Sequence, residues 1–410
     1  MAIMDVTVNA TRILNSIWMH PGISRIGLSR ELNLNKSTIT KIVSNLMAEG
    51  LVLLSETPDQ TDNKGRRPTG LFFNTELGVI LGIEIQTDSW NGVAVDPSGK
   101  VVDSFSSTFL PSNSQLIPIV DEAISFGLAR QEAAGRRILG VGLGLSGQIN
   151  PYLGIILSSN PLNIHEPLDI HDYCFTRYPF PVVVENDANC CCWNVILEKK
   201  SLHPRNFLCV LAEQRRTGWG TEQDIADVKG VAVGLGLVIK DSVLHGDRFS
   251  AGEFQSVFKV QTNPTQFDLP TQELLTMYTD TEIWERTVQE LSRNVALLVN
   301  VLNISLVKVF GNFVLDAPRF QSILYEEIQV NWPYDNEVQC GIEISANGSD
   351  SVAIGAAGYF LHRMFSMPDI WEGNESVYPE GIDLLRMALD SGFQGKRKRT
   401  NATKEPVMNT

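Results

Sequence analysis

The chain has 410 residues, with 33 Lys/Arg against 47 Asp/Glu and a formal net charge of −14. That length implies two or three domains with sizeable cores, and the acidic balance excludes a protein that coats nucleic acid along its whole surface. The charge is uneven, however: residues 1–70 hold eight Lys/Arg against six Asp/Glu, a balance of +2 that leaves −16 for the rest.

A mildly basic head on an acidic body can still sit on DNA. Met1 to Ala10 shows no positive segment followed by an apolar core, and no apolar run approaches the roughly 18–20 residues of a membrane span. A soluble, cytoplasmic protein without a membrane partner is expected. Six cysteines, at 174, 190, 191, 192, 209 and 340, form no CxxC pair and read as reduced core residues. The consecutive three point about 100° apart around a helix, so they cannot share one ion.

In the head, Ile13, Leu14, Ile17 and Trp18 recur at helical spacing, and Pro21 forces that helix to end near His20. Ser24 is placed to cap a short second helix through Leu32, with Ile26 and Leu28 turned inward. Asn33-Leu34-Asn35 makes a turn, and Asn35 is expected to cap a third helix. Its stripe of Ile39, Ile42, Val43, Leu46 and Met47 faces the core, and Gly50 closes it. The opposite face carries Lys36, Ser37, Thr38, Thr40, Lys41 and Ser44. Short donors and cations on a third helix suit base edges and phosphates of the major groove. Leu51–Leu54 and Leu71–Phe73 read as strands around a polar loop ending in Gly65-Arg66-Arg67-Pro68, and two adjacent guanidinium groups suit a narrow, negative minor groove.

The body opens with strands at Val79–Ile85, Asn91–Val95 and Lys100–Phe105. A helix follows at Ile117–Ala134, then a strand at Ile138–Leu145 running into Ser146-Gly147. Val182 to Asn189 reads Val-Val-Val-Glu-Asn-Asp-Ala-Asn. It is a buried strand with polar residues at its carboxyl end, where open α/β sheets place ligands. A carboxylate beside a carboxamide can accept from and donate to adjacent hydroxyls of a polyol, and Asp187 can take a proton from one. The same residues also favour a helix start, because 188–197 looks helical. Strands at Phe207–Leu211 and Gly230–Ile239, separated by a long hairpin or loop, precede a helix at Glu282–Leu302 and a strand at Leu306–Phe310.

The head, with its wing and Gly-Arg-Arg-Pro, resembles the winged helix-turn-helix of bacterial regulators, and its arrangement is similar to that of the ROK family of repressors and sugar kinases. The resemblance runs from about residue 10 to about 362, through Gly-Leu-Ser-Gly at 144–147, Glu185 to Asn189 and Ser250-Ala251-Gly252-Glu253-Phe254. It implies an α/β fold, with a winged helix-turn-helix over 1–75 and a two-lobed actin-like, sugar-kinase-like (ribonuclease H-like) body. The lobes are expected at 76–192 and 193–390, with a C-terminal helix returning to the first, and a disordered basic tail at 391–410. In family kinases the residue matching Asp187 is the base, and those matching Asn186 and Glu253 hold sugar hydroxyls. Ser256 stands where relatives carry a histidine that touches the sugar. The resemblance thus gives a sugar-binding set of Asn186, Asp187, Glu253 and Ser256.

Departures from the family pattern point to function. ATP-using members write Asp-x-Gly-Gly-Thr where this chain has Glu84-Ile85-Gln86-Thr87-Asp88, and only glycines let backbone N–H groups approach phosphates. A second phosphate loop reads Ala232-Val233-Gly234-Leu235-Gly236, and a Gly-Gly reads Gly311-Asn312. Ser256 to Leu275 holds no cysteine or histidine, so neither zinc nor another cofactor is expected. The resemblance implies a DNA-binding repressor of carbohydrate metabolism without kinase activity, a homodimer or higher oligomer on double-stranded operator DNA with a sugar effector in the cleft. The alternatives are a sugar kinase with a DNA-binding head and a regulator answering to a protein partner.

Overall fold

In the computed structural model, which describes residues 2–56, 69–109, 115–216, 229–260, 265–346, 348–366 and 381–390, the head forms as its apolar period dictates. Helix α1 (Ala2–Met19) buries Ile13, Leu14, Ile17 and Trp18 and stops before Pro21. Helix α2 (Arg25–Glu31) is capped by Ser24, whose Oγ accepts from the Gly27 N–H at 3.0 Å. Leu28 is buried, but Ile26 is 52% exposed, contrary to expectation. Residues two apart on a helix point about 200° apart, so a two-turn helix with one face on the core cannot bury both. Helix α3 (Lys36–Ala48) buries Ile39, Ile42, Val43 and Leu46 and half-buries Met47; Asn35 occupies its N-cap position without a side-chain capping bond. Strands β1 (Val52–Glu56) and β2 (Thr69–Phe73) then pair antiparallel, Val52 opposite Phe73. The expected wing tip with Arg66 and Arg67, like the 391–410 tail, lies outside the described residues.

The body holds two five-stranded sheets. The first is built from β3 (Val79–Ile85), β4 (Ser89–Val95) and β5 (Val101–Thr108), followed by helix α4 (Leu116–Ala133) and β6 (Ile138–Leu145). A small antiparallel sheet of β7 (Gln148–Asn150), β8 (Ile155–Ser158) and β9 (Leu168–Asp169) and helix α5 (Ile170–Arg177) lead to β10 (Val182–Asn186). The order is β10-β6-β3-β4-β5, with the first three parallel. Helix α6 (Asp187–Lys199) leads to the second sheet, which contains β11 (Phe207–Arg216), β12 (Lys229–Ile239) and β13 (Ser242–Val243). Helices α7 (Thr271–Thr276) and α8 (Thr281–Leu302), strand β14 (Leu306–Phe310), helix α9 (Ala317–Val330) and β15 (Gly341–Ile344) follow. The order is β13-β12-β11-β14-β15. Helices α10 (Ser351–Phe365) and α11 (Gly381–Leu389) end the described chain.

Helix α10 packs on β3, β6 and α6, far back in the chain. That approach requires glycine at 142, where an added Cβ would lie 2.0 Å from the Ala356 carbonyl oxygen. The lobe boundary expected at 192/193 falls inside the continuous helix α6, which contacts β10 on one side and β11 and β12 on the other. One apolar cluster runs from the head through α6 and α10 into both sheets. Helices α4 and α5 cover the outer face of the first sheet, and α8 and α9 that of the second. The head is joined by packing: Trp18 stacks on Phe365 (centroids 4.8 Å apart, planes at 16°) and its Nε1 donates to the Pro97 carbonyl at 2.8 Å. Asn15 Nδ2 donates to the Phe365 carbonyl at 3.1 Å, and Lys200 Nζ to that of Trp18 at 3.2 Å. Among the described residues no helix is long and apolar enough to cross a membrane.

Candidate functional site

The carboxyl end of β10 and the start of α6 put Glu185, Asn186 and Asp187 on consecutive positions between the sheets. Asn186 serves as the N-cap of α6. Its Oδ1 accepts from the Asn189 N–H at 3.1 Å and its Nδ2 donates to the Gly147 carbonyl at 3.0 Å. The capping and ligand readings are compatible, because a carboxamide keeps one N–H and one lone pair beyond these bonds. Asp187 is 7% exposed. Its Oδ1 accepts from the Ala188 N–H at 2.8 Å and its Oδ2 from Ser146 Oγ at 2.5 Å. Ser146, in the loop after β6, therefore orients the carboxylate, a role its sequence position alone does not signal.

Glu253 faces this pair from the second lobe. Gly252 before it has φ +91, and an added Cβ there would meet the Leu235 carbonyl oxygen at 1.8 Å, so only glycine lets this loop lie on β12. Desolvation, and then the Asp187 charge, raise the Glu253 pKa above its ordinary value. Two carboxylates set this way suit a ligand that offers hydroxyl donors to both. Ser256 follows Glu253 by three residues. It is buried beside α8, its Oγ accepting from Asn294 Nδ2 at 3.1 Å and from the Phe258 N–H at 3.2 Å.

Glu185 is fully buried. Its Oε1 accepts from the Asn186 N–H at 2.8 Å and from Asn189 Nδ2 at 3.3 Å. Its Oε2 takes Trp193 Nε1 at 3.1 Å and His245 Nε2 at 2.9 Å. Burial pushes its pKa up, but His245 and the N–H donors outweigh that, and the carboxyl is held below its ordinary range.

At the other end of the cleft, Gln86 projects from the turn after β3. Its Nε2 donates to buried Glu84 at 2.9 Å and, across the sheets, to buried Glu213 of β11 at 3.2 Å, while its Oε1 takes Ser89 Oγ at 3.3 Å. A side chain thus fills the place where the family resemblance puts glycine. The 232–236 segment, which the resemblance aligns with a second phosphate loop, lies within strand β12, as the strand reading of 230–239 expects, in register with β11. Its glycines admit the start of α6: a Cβ at 236 would lie 2.4 Å from the Ala188 carbonyl oxygen. Asn312 Oδ1 accepts from the Gln214 N–H at 2.7 Å, so this side chain too is built into the sheet edge.

On the head, Lys36, Ser37, Thr40 and Lys41 are exposed along α3 and Thr38 is half-buried. The Thr40 hydroxyl donates to the Lys36 carbonyl at 2.8 Å, which leaves its oxygen as an acceptor. These residues share the face of α3 opposite its buried stripe of Ile39, Ile42, Val43 and Leu46.

Comparison with known proteins gives two family matches. The ROK family matches residues 80–254, and a winged helix-turn-helix DNA-binding family matches residues 9–52. The xylose repressor of Bacillus subtilis (strain 168) is 31% identical over 185 residues, 44% of this chain and 47% of that protein. A putative xylose repressor of Caldicellulosiruptor sp. (strain Rt8B.4) is 27% identical over 253 residues, 60% of this chain and 57% of that protein. The chain thus matches about half the length of these curated relatives. A crystal structure described as a ROK family transcriptional regulator, homolog of the E. coli MLC protein, covers 94% of this chain and 97% of its own at a TM-score of 0.67 and 16% identity. At that identity the likeness shows the fold alone.

Proposed function

We propose, from the premise that this chain carries a ROK family domain behind a winged helix-turn-helix, that it is a transcriptional repressor released from operator DNA by a sugar. The effector is a monosaccharide or a derivative of one, with pentoses such as xylose the first candidates because relatives are named xylose repressors. It sits between Asn186, Asp187 and Glu253, two acceptors and a carboxamide that together match a vicinal diol. The α3 face of Lys36, Ser37, Thr38, Thr40 and Lys41 enters the major groove, and Arg66 and Arg67 add minor-groove and phosphate contacts. A homodimer places two such heads on an inverted repeat.

The observation that carries the reading against a kinase is Gln86. Its carboxamide bridges Glu84 and Glu213, occupying the place a phosphate cradle needs and putting two carboxylates beside it, where phosphates would be repelled. The chain is accordingly read as having no phosphoryl-transfer activity. The test has two arms. Operator DNA selected from a random pool is titrated with protein, and the complex is then titrated with D-xylose, D-glucose and N-acetyl-D-glucosamine. In parallel, product formation is measured with magnesium-ATP over the same sugars. Sugar-dependent release without turnover is expected. Turnover that Asp187→Asn abolishes would replace the repressor-only reading by that of a kinase with a DNA-binding head.

A further inference from the structure

His245 belongs to the loop that follows β13, on the second sheet, yet its Nε2 lies 2.9 Å from Glu185 Oε2 at the end of β10 on the first. The hydrogen bond is shut away from solvent: the histidine side chain is 10% exposed and the glutamate 0%. A hydrogen bond to a desolvated carboxylate is stronger than one at the surface, and losing it leaves a buried charge short of a partner. Two aromatic contacts accompany it. Tyr152, between β7 and β8, meets the His245 ring edge-on with centroids 5.7 Å apart, and meets Phe249 of the same loop at 6.1 Å. Phe249 holds φ +56, a left-handed conformation that a bulky residue adopts where its surroundings impose it.

The same loop carries Glu253. Its far end is fixed on β12 by the Leu235 N–H donating to the Gly252 carbonyl at 2.9 Å, and its interior by the Ala251 N–H donating to the His245 carbonyl at 3.2 Å. The span 244–252 is therefore tied to its own sheet at both ends, by the Leu244 N–H on the Leu237 carbonyl at 2.8 Å and by Gly252 on Leu235, and to the opposite sheet by His245. Together these anchors set where Glu253 stands relative to Asp187.

We propose that His245 is a positioning residue of the effector site, latching loop 244–253 across the cleft through Glu185 so that Glu253 faces Asp187. The proposal rests on the effector reading of that cleft. It differs from a general stabilising role in two ways. The loss is confined to this loop and to ligand affinity, and glutamine, whose Nε2 reaches the place of the imidazole Nε2, restores both.

The experiment compares the full chain with His245→Ala, His245→Gln and, as a reference, Asp187→Ala. Hydrogen exchange by mass spectrometry is followed over 244–254 and over the rest of the body, and D-xylose and D-glucose are titrated against the operator complex. In His245→Ala, exchange over 244–254 should rise about tenfold, with the rest of the body unchanged and sugar affinity about tenfold weaker, the size of one lost hydrogen bond to a charged group; His245→Gln should return both toward wild type. Unchanged exchange over the loop, a rise spread through the body, or no recovery in His245→Gln overturns the proposal, and this arm decides without any sugar. If Asp187→Ala weakens the sugar response and His245→Ala does not, the latch is refuted while the effector site stands. If neither variant changes a sugar response seen in wild type, the effector reading falls with it.

Discussion

The junction between head and body and the cleft between the two sheets are both contacts between distant parts of one chain, yet they are made of opposite materials. At the junction Trp18 stacks on Phe365, Phe73 meets the same ring edge-on, and the head core continues into α10 without a polar layer. Across the cleft polar contacts prevail beside the Tyr152–Phe249 ring pair: Gln86 to Glu213, His245 to Glu185, and Glu253 facing Asp187. Close-packed apolar contacts move as one body because any slip opens a void, whereas hydrogen bonds across a cleft exchange readily with water or ligand hydroxyls. A rearrangement in the cleft is thus expected to reach the head as a displacement of α6 and α10 rather than as a loosening of the junction. Helix α6 suits this role, since Asp187 stands at its start and Lys200, just past its end, donates to the Trp18 carbonyl.

The largest effect should come from breaking the apolar side of this contrast. Trp18→Ala removes a side chain that is 3% exposed together with its bond to Pro97, and truncating a buried aromatic costs about 3–5 kcal/mol. The unfolding midpoint in denaturant should fall, and the variant should bind operator DNA without full response to sugar. A midpoint equal to wild type would mean that head and body share no core. On the polar side, Asp187→Ala or Glu253→Ala should leave operator affinity nearly intact while reducing effector affinity by one to two decades, from a hydrogen bond to a charged group worth roughly 1.5–3 kcal/mol. Sugar titration of the operator complex checks this. Release at the wild-type sugar concentration in both variants would place the ligand elsewhere.

Acidity sharpens the same contrast. The Glu185 pKa is lower in the folded chain than its ordinary value because His245 and three N–H donors outweigh burial. A depressed folded pKa contributes stability that is present above the unfolded value and lost as pH falls through the folded one. Wild type should therefore exceed Glu185→Gln in melting temperature near neutral pH, and the gap should shrink as pH drops below the usual carboxylate range. A gap that persists undiminished at low pH would assign the stabilisation to packing. The apolar junction carries no such dependence, so the Trp18→Ala deficit should hold across the same range.

What the sequence discloses follows from where each signal resides. Strands at 138–145 and 306–310 are legible to the residue because β-branched and small apolar runs end in glycine or serine. Helix α10 escapes a periodicity reading because it is buried on nearly every side and has no polar face to set a period. The Asn-Asp pair is visible as a motif, and so is the helix start that Asn186 caps through Asn189 three residues on, whereas the contact of Ser256 with α8 is not, because its partner Asn294 lies 38 residues away in sequence. His245 gives no local signal at all; its partner lies 60 residues earlier on the other sheet.

The smallest effect concerns how the head divides its work on DNA. Thr38, Thr40 and Lys41 on α3 should carry most of the discrimination between operators, because only the major groove distinguishes all four base pairs. Arg66 and Arg67, placed by sequence on the wing, should supply salt-dependent affinity and a preference for A·T-rich flanks, where the minor groove is narrow and more negative. Neutralising both arginines removes up to two phosphate or groove charges, so the slope of log affinity against log salt should flatten by about 1 to 2, which is about a four- to sixteen-fold change in affinity over a fourfold change in salt. Specificity should hold in that double variant and relax in Thr38→Ala with Lys41→Ala, while Trp18→Ala, a change at the junction with Phe365 and Pro97, should alter neither slope nor specificity. Titrations on selected operator DNA at several salt concentrations measure all three. An unchanged salt slope without the arginines, or undiminished discrimination after the Thr38 and Lys41 changes, would move the DNA-binding surface to another face of the head.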